Sequence, residues 1–155
     1  MKNHHSALCR YTFIGFMFML LSACGEKEEG LGRYGMMDEN TPDYAALAFM
    51  KSIYEDENIS RAIELSSDSM ARMLERYRTN RNVQRYIVNL RYDTVTITPQ
   101  SGNGVGRSEF AESAEVTLYF SGMYGDDKVE DLRTINMIRD DGQWKVDRIA
   151  PDHFM

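Results

Sequence analysis

The spacing of apolar residues changes near residue 91, and this change constrains the fold more than any other feature of the chain. Five apolar residues before it recur at helical intervals: Ala46, Phe49, Met50, Ile53 and Tyr54. This spacing places them on one face of a helix. After residue 91, apolar and polar residues alternate, as in strands with one buried face. Helices followed by strands is the order of an α+β domain.

Capping residues predict where the helices begin. Thr41 is a good N-cap, Pro42 suits the first helical position, and Asp43 favours the positive end of a helix. Later helix starts are predicted at Asn58, at Ser67 or Asp68, and after a weak break at Thr79–Asn80. Two further sets of apolar residues have helical spacing: Met70, Met73, Leu74 and Tyr77, then Val83, Tyr86, Ile87 and Leu90. The first half of the domain is therefore predicted to be helical.

Four strands are predicted in the second half: residues 92–98, 112–120, 129–139, and a last strand that contains Trp144 and Val146. The second alternates most clearly, with four inward positions at Ala114, Val116, Leu118 and Phe120. Two sets of residues compete for the buried face of the third: Leu132, Thr134 and Ile138 against Ile135 and Met137. Turns are expected at residues 101–106 and 122–127, and Asp141–Gly142 is a strong two-residue hairpin signal. These features predict an antiparallel meander that curls around the helices.

The start of the chain has the features of an export leader. Lys2 and Arg10 make it positive, and residues 11–21 form an apolar run of 11 residues. That length suits the core of a secretory signal and is too short to span a bilayer. The run and the small residues before Cys24 resemble a bacterial lipoprotein signal with its lipobox. The resemblance implies cleavage before Cys24 and acylation of the new amino terminus. A chance cysteine after an ordinary signal is the alternative.

The chain is therefore divided into a signal peptide, residues 1–23, a flexible tether, residues 24–40, and one α+β domain, residues 41–155. The tether has four glycines and an acidic run without an apolar period, so it buries too little surface to fold. In the known sorting rule, an aspartate directly after the lipidated cysteine retains a lipoprotein at the inner membrane. Gly25 occupies this position, so the outer membrane is favoured. Without the leader, 132 residues with a net charge of −8 remain. An acidic domain argues against nucleic-acid binding, which requires basic surface.

Cysteine and histidine are too scarce for several kinds of site. Cleavage would remove Cys9 with the leader, and the sulfur of Cys24 would carry the lipid. His153 is the histidine that remains in the mature chain. This excludes a disulfide within the domain and a cysteine/histidine zinc site. A Ser-His-Asp arrangement would require His153 to fold back into a cleft. We expect neither a metal nor a cofactor.

The domain resembles the nuclear transport factor 2-like (cystatin-like) superfamily, in particular its small bacterial lipoproteins of unknown function. Three segments carry the resemblance: Tyr-Ala-Ala-Leu-Ala-Phe-Met at residues 44–50, the short helix at residues 60–66, and the closing hairpin at residues 141–149. The resemblance implies a cone-shaped domain with helices on the concave side of a curved sheet, and pairing of two copies through the sheet. The superfamily includes isomerases, dehydratases, hydrolases and non-catalytic binding modules, so the fold does not define the function.

Asp131 is the one weak candidate for a catalytic residue. Catalytic members of the superfamily place an aspartate or histidine between the helices and the sheet. If the strand face of Asp131 lines that space, burial can raise the pKa of its carboxyl enough for a general base. The alternative, which we favour, is an exposed pair of Asp131 and Arg133 on the outer face of the sheet.

Arginine is unevenly distributed along the chain. Residues 72–91 hold six arginines and one glutamate, a net charge of +5, whereas residues 109–147 carry a net charge of −6. Arg78, Arg81 and Arg85 are therefore candidates for an anion-binding or partner-binding face. The simpler interpretation, which we favour, is that helices and sheet complement each other in charge and that the remaining arginines lie on solvated helix faces, where arginine is common.

Methionine and aromatic residues raise the hypothesis of an apolar ligand pocket. Its candidate lining residues are Phe49, Met73, Tyr86, Met137 and Trp144. Methionine adapts to irregular space, so such a lining can hold a small apolar molecule. A plain packed core accounts for the same residues and is the interpretation we favour.

The sequence thus predicts a periplasm-facing lipoprotein of the bacterial envelope whose domain is a non-catalytic binding or interaction module. Its expected partners are the bilayer through Cys24, envelope proteins or a small apolar ligand, and a second copy in a homodimer. One alternative is an enzyme of the isomerase or dehydratase kind that uses Asp131. Another is a structural or inhibitor/immunity-type protein that acts through an exposed face.

Overall fold

The computed structural model describes residues 37–100 and 111–150, in which helices precede an antiparallel sheet. The α+β class is thereby confirmed. The helical elements are α1 (Pro42–Glu55), α2 (Ser60–Glu64), α3 (Asp68–Tyr77), α4 (Asn80–Val83) and a π-helical turn (Gln84–Val88). The strands are β1 (Thr94–Pro99), β2 (Ser113–Tyr124), β3 (Asp127–Asp140) and β4 (Gln143–Ile149). The leader, Cys24, most of the tether, the loop at residues 101–106 and His153 lie outside the described residues.

Helix α1 begins where its capping residues predict and packs against the sheet. The Thr41 hydroxyl accepts a hydrogen bond from the Tyr44 backbone N–H at 3.3 Å, with Pro42 in the first helical position. The predicted face is confirmed, since four of its residues are fully buried: Ala46, Phe49, Met50 and Ile53. This helix contacts all four strands. Burying each large apolar side chain stabilises the fold by about 1.5–3 kcal/mol, so α1 supplies much of the contact between the helical layer and the sheet.

The folded part extends slightly before the predicted boundary at residue 41. Met37 is half-buried against the core, and the Asp38 carbonyl accepts a hydrogen bond from the Thr41 backbone N–H at 3.2 Å. The last residues assigned to the tether therefore pack with the domain. The chain therefore enters the domain at the N-terminal end of α1.

The loop between α2 and α3 is joined to the last strand. The Ser67 backbone N–H donates to the Val146 carbonyl at 2.8 Å, and the Val146 N–H donates to the Leu65 carbonyl at 2.9 Å. The Ser67 side chain also caps α3, accepting from the Met70 backbone N–H. This confirms Ser67 as a helix start. It also fixes the beginning of α3 at the edge of the sheet.

The π-helical turn changes the phase of the last helical segment. A regular helix would place Val83, Tyr86 and Ile87 on one face, as the spacing predicts. Instead Val83 and Val88 are buried, whereas the Tyr86 side chain is 57% exposed. A π-helical turn closes its hydrogen bond one residue later than an α-helix, so the residues after it rotate around the axis.

The four strands form one sheet in the order β1-β2-β3-β4, each antiparallel to its neighbour, which confirms the meander. Asp141 and Gly142 both have positive φ, 47° and 80°, as a two-residue hairpin turn requires. The other turn is tighter than predicted, because Gly122 pairs within β2 and only Gly125 and Asp126 form the turn. A Cβ at Gly122 would collide with the Thr94 carbonyl and lie 2.7 Å from the Tyr92 ring, so glycine is needed for this close approach.

The helices cover one face of the sheet, which decides the ambiguous strand. Ile135 and Met137 of β3 are buried, whereas Leu132 on the opposite face is 48% exposed. On that outer face, the hydroxyls of Thr117 and Thr134 lie 3.4 Å apart across β2 and β3. The inner face of β3 therefore carries the odd-numbered residues from 131 to 137.

Candidate functional site

A buried guanidinium, that of Arg133, lies on the inner face of β3. The residue is only 3% exposed. Its Nε donates to the Val88 carbonyl at 2.9 Å, Nη2 donates to the Asn89 carbonyl at 3.4 Å, and Nη1 donates to the Leu132 carbonyl at 2.7 Å. Val88 and Asn89 end the π-helical turn, where carbonyl groups lack partners and carry partial negative charge. Arg133 therefore caps this turn and fastens it to the sheet.

Asp131 lies beside Arg133 on the same inner face. Its Oδ1 is 2.9 Å from Arg133 Nη1 and also accepts the Leu132 backbone N–H at 2.7 Å. The favoured expectation of an exposed pair on the outer face is therefore wrong, because the alternation of β3 places residue 131 with the buried positions. The side chain remains 32% exposed. Both contacts use the same carboxylate oxygen. This oxygen links the Arg133 guanidinium to the backbone of β3, so Asp131 positions Arg133.

Two tyrosines and a phenylalanine lie beside this charged pair, with Phe120 opposite Asp131 in the register of β2 and β3. Tyr54 meets Tyr92 edge-on at 5.8 Å between ring centroids, and Tyr92 stacks on Phe120 at 6.4 Å. The Tyr54 hydroxyl donates to the Leu90 carbonyl at 2.9 Å, whereas the buried Tyr92 hydroxyl has no hydrogen-bond partner among the described residues. Burial raises the pKa of Tyr54 above its ordinary range. Burial and the nearby Asp131 raise the pKa of Tyr92 to about 12. Both phenols stay protonated at neutral pH.

The five candidate pocket residues do not share one interior lining. Phe49, Met137 and Trp144 are at most 5% exposed and belong to the packed core. Met73 and Tyr86 are 44% and 57% exposed. The pocket hypothesis is thus wrong for these two residues. Their helical spacing implied burial, but they lie on the outside of α3 and of the π-helical turn.

Met73 and Tyr86 instead belong to an exposed surface, which we name the arginine–tyrosine face. It consists of Met73, Arg76, Tyr77, Arg78, Arg81, Arg85 and Tyr86, all of them exposed except Tyr77, which is half-buried. Tyr77 and Tyr86 stack with their ring centroids 5.7 Å apart at an interplanar angle of 24°, and the Arg85 guanidinium lies 5.3 Å from the Tyr86 ring centroid. Met73 precedes Tyr77 by four residues, so the two share one side of α3.

The arginines of this face are exposed and have no acidic partner among residues 37–100 and 111–150. The ion pairs in that part of the chain are Lys51–Glu55, Lys128–Glu130 and Arg133–Asp131. Arg78, Arg81 and Arg85, the predicted partner face, are all exposed. These arginines therefore lie on a solvated face, as the simpler interpretation allows, and none of them pairs with an acid of the sheet among the described residues. Their guanidinium donors are open to a partner.

Local backbone features place the arginine–tyrosine face at one end of α1. Asn80 Nδ2 donates to the Asp56 carbonyl at 2.7 Å, and Gln84 Nε2 donates to the Ile53 carbonyl at 3.0 Å. These bonds hold α4 and the π-helical turn at the C-terminal end of α1. Arg78 ends α3 in the left-handed conformation, with φ of 66°, which turns the chain sharply before α4.

The outer face of the sheet holds a stabilised carboxylate, that of Glu130. Glu130 contacts Lys128, and the Ser121 hydroxyl donates to its Oε1 at 3.2 Å. Hydrogen bonds from Lys128, Tyr119 and Ser121 lower the pKa of Glu130 to about 2, so this carboxylate stays ionised at any physiological pH.

Metal-binding clusters and membrane-spanning helices are absent from the described part of the chain. No group of three or more aspartate, glutamate, histidine or cysteine side chains there is arranged to hold a metal ion. None of the helices in the same residues is both long and apolar enough to cross a bilayer.

Two functional features were not predicted from the sequence. The first is the stacked pair of Tyr77 and Tyr86, which depends on the sharp turn at Arg78 and on the π-helical turn. The second is the burial of Arg133, an arginine between Leu132 and Ile135 in a strand. The sequence contained one indication of this burial, because residue 133 lies on the same strand face as Ile135 and Met137.

Protein-family models and curated proteins were both compared with this chain. No family model matches it, and no curated protein has a detectably similar sequence.

Proposed function

We propose that this protein is a lipoprotein of the bacterial envelope, anchored through Cys24 at the periplasmic side of the outer membrane, whose domain is a non-catalytic interaction module. The leader, the apolar run of residues 11–21 and the position of Cys24 support the anchor. The observation that carries the interaction role is the arginine–tyrosine face, where exposed guanidinium groups that have no acidic partner among the described residues accompany two stacked tyrosines.

We further propose a nuclear transport factor 2-like fold for the domain. In support, the helices precede a four-stranded antiparallel meander, α1 packs across all four strands, and the closing hairpin turns at Asp141–Gly142. A fold of this kind serves both enzymes and binding modules. The assignment to a binding module therefore depends on the residues of the domain.

The contacts of Asp131 support a non-catalytic role. A general base needs an oxygen directed at the proton that it removes. Here Oδ1 contacts Arg133 and the backbone of Leu132, and Arg133 in turn caps the π-helical turn. The Oδ1 atom of this carboxylate is thus explained by the architecture. Asp131→Asn is expected to leave the cellular function intact, whereas an enzyme that uses this group would lose its activity.

The interaction role is tested by photo-crosslinking in the native host. A photoreactive phenylalanine derivative replaces Tyr86 in the full chain, with Thr96 as the control position. Thr96 is exposed on β1 and belongs to the outer face of the sheet. We expect a discrete adduct from position 86 and none from position 96. The adduct should disappear when Arg81 and Arg85 are both changed to glutamate.

The absence of any adduct at position 86, with normal export and folding, would contradict the proposed interaction role. An adduct of equal yield at both positions would show unspecific proximity and contradict it as well. The anchor is tested separately by mass spectrometry of the purified chain, where Cys24→Ser should abolish the added acyl mass and release the protein from membranes.

A further inference from the structure

The arginine–tyrosine face has the donors that carboxylates require. A guanidinium presents its N–H groups as a planar fork that binds a carboxylate through two parallel hydrogen bonds. Arg76, Arg81 and Arg85 are exposed and form no ion pair among the described residues. Several such forks on one surface match a segment with several carboxylates better than they match a single small anion.

The aromatic part of the face indicates that the partner is a protein. Tyr77 and Tyr86 are held against each other, and Arg85 lies over Tyr86, so these side chains lose little further freedom when a partner binds. Tyrosine and arginine dominate binding energy in protein interfaces, and methionine is enriched there. The exposed Met73 extends the apolar part of the surface. A partner that fits has apolar side chains between its acids.

The position of the face favours a partner other than the bilayer of the anchor. The chain enters the described part at Met37, beside the N-terminal end of α1. Asn80 and Gln84 hold the face at the opposite end of this 14-residue helix, which is about 20 Å long at 1.5 Å per residue. A domain tethered through its N-terminus therefore presents the face at a distance from its point of attachment.

The charge of the remaining surface steers an acidic partner to this face. Residues 109–147 carry a net charge of −6, and exposed Asp126, Asp127 and Asp140 border the turns of the sheet. Like charges repel an acidic segment there, while residues 72–91, with a net charge of +5, attract it.

We infer that the arginine–tyrosine face binds an acidic segment of another envelope protein, with carboxylates on Arg76, Arg81 and Arg85 and an apolar side chain against Tyr86. The inference rests on the proposed interaction role and names its partner class. Recognition combines charge, which sets the rate of association, with the stacked tyrosines, which set the lifetime of the complex.

The binding experiment uses the whole mature chain, residues 24–155, with Cys24→Ser to keep it free of lipid. The probe is a fluorescein-labelled 12-residue peptide in which glutamate pairs alternate with leucine, measured by fluorescence anisotropy. We expect saturable binding that weakens at least tenfold for Arg81→Glu with Arg85→Glu. Binding should also weaken as salt rises from about 50 to 300 mM, since salt screens charges on the surface.

Two further variants separate charge from stacking. Tyr86→Ala should weaken peptide binding several-fold while leaving its salt dependence unchanged, because no charge is removed. Arg148→Glu is the matched control, since Arg148 is an exposed arginine of β4 outside the face. It should bind the peptide like the unmodified chain.

Two competing occupants are measured in parallel. Sedimentation with vesicles of phosphatidylglycerol and phosphatidylethanolamine tests the bilayer, and analytical ultracentrifugation without peptide tests a second copy. Vesicle binding that requires Arg81 and Arg85, without peptide binding, would overturn the inference in favour of lipid. Self-association lost in the same double variant would overturn it in favour of a second copy. A crosslink at position 86 in cells combined with no peptide binding would refute the acidic partner and leave the interaction role standing.

Discussion

Replacing Arg133 with methionine tests whether one buried guanidinium fastens the helical segment to the sheet. Arg133 is 3% exposed and donates to Val88, Asn89 and Leu132 while it pairs with Asp131. Methionine retains an unbranched apolar stem of similar shape and removes every donor. The substitution therefore isolates the polar contacts from most of the packing.

The expected loss follows from these contacts. The bond to Val88 is fully buried, and a buried acceptor without a partner costs about 1–3 kcal/mol. The two partly buried carbonyl contacts contribute about 1 kcal/mol each. The ion pair adds about 0.5 kcal/mol, because Asp131 is 32% exposed and water screens the pair. Methionine avoids the cost of dehydrating a guanidinium, which offsets part of the sum. We expect a net loss of about 3 kcal/mol.

Equilibrium unfolding in urea measures this loss. With an m-value of about 2 kcal/mol/M, the midpoint should fall by about 1.5 M. Arg148→Met makes the same replacement at an exposed arginine of β4 and should change the free energy of unfolding by less than about 0.5 kcal/mol. Arg133→Lys keeps the charge but loses the planar fork of donors. Its loss in the free energy of unfolding should lie between those of Arg133→Met and Arg148→Met. It also gives a readout if the methionine variant does not fold.

Asp131→Asn completes the test. Arg133 keeps its three carbonyl acceptors in this variant, so we expect a loss of about 1 kcal/mol or less. If Arg133→Met cost no more than Arg148→Met, the guanidinium would not fasten the helical segment. If Asp131→Asn cost as much as Arg133→Met, the ion pair would be the dominant contact and the reasoning from the carbonyls would be refuted.

Further predictions concern glycine and tyrosine. Gly122→Ala should destabilise the domain by more than about 2 kcal/mol, because the added Cβ would collide with strand backbone. Gly125→Ala should cost about 1 kcal/mol, because only the φ of 62° at this residue opposes the change. Thermal unfolding of the two variants tests this order. Tyr92→Phe should be neutral or stabilising by up to about 1 kcal/mol, because the buried hydroxyl has no partner among the described residues, whereas Tyr54→Phe should cost about 1 kcal/mol for its lost bond to Leu90. The reverse order in urea unfolding would contradict both assignments. The pKa of Tyr92 rises from 10.0 to about 12 on folding, so the unfolded chain loses this proton first. The free energy of unfolding should therefore fall as pH rises from about 10 to about 12. If it fell as steeply in Tyr92→Phe, this tyrosine would be excluded as the source.

Much of the fold could be predicted from local patterns. The cap at Thr41, the face of α1 and the hairpin at Asp141–Gly142 each depend on a few neighbouring residues, and all three are confirmed. The end of β2 was harder. Glycine at 122 resembles a turn residue, but the nearby ring of Tyr92 and the first strand require it within the sheet.

The candidate site was less accessible from sequence. The concentration of arginine in residues 72–91 correctly pointed to exposed cations. Helical spacing placed Met73 inside, although α3 buries Met70 and Leu74 instead. It also placed Tyr86 inside, because a regular period cannot anticipate a π-helical turn or a residue with φ of 66°. These backbone departures bring Tyr77 and Tyr86 together.

By itself the sequence determined the α+β class, the order of the elements, the inner residues of α1 and β2, and the asymmetry of charge. Each of these follows from periodicity or composition, which act over short distances along the chain. Only the tertiary structure decided which face of β3 is buried, that Arg133 caps the π-helical turn, and that two tyrosines stack on the outer side of the helices. These depend on contacts between residues far apart in sequence, such as Val88 and Arg133, which are 45 positions apart. No local pattern contains the energies of such contacts.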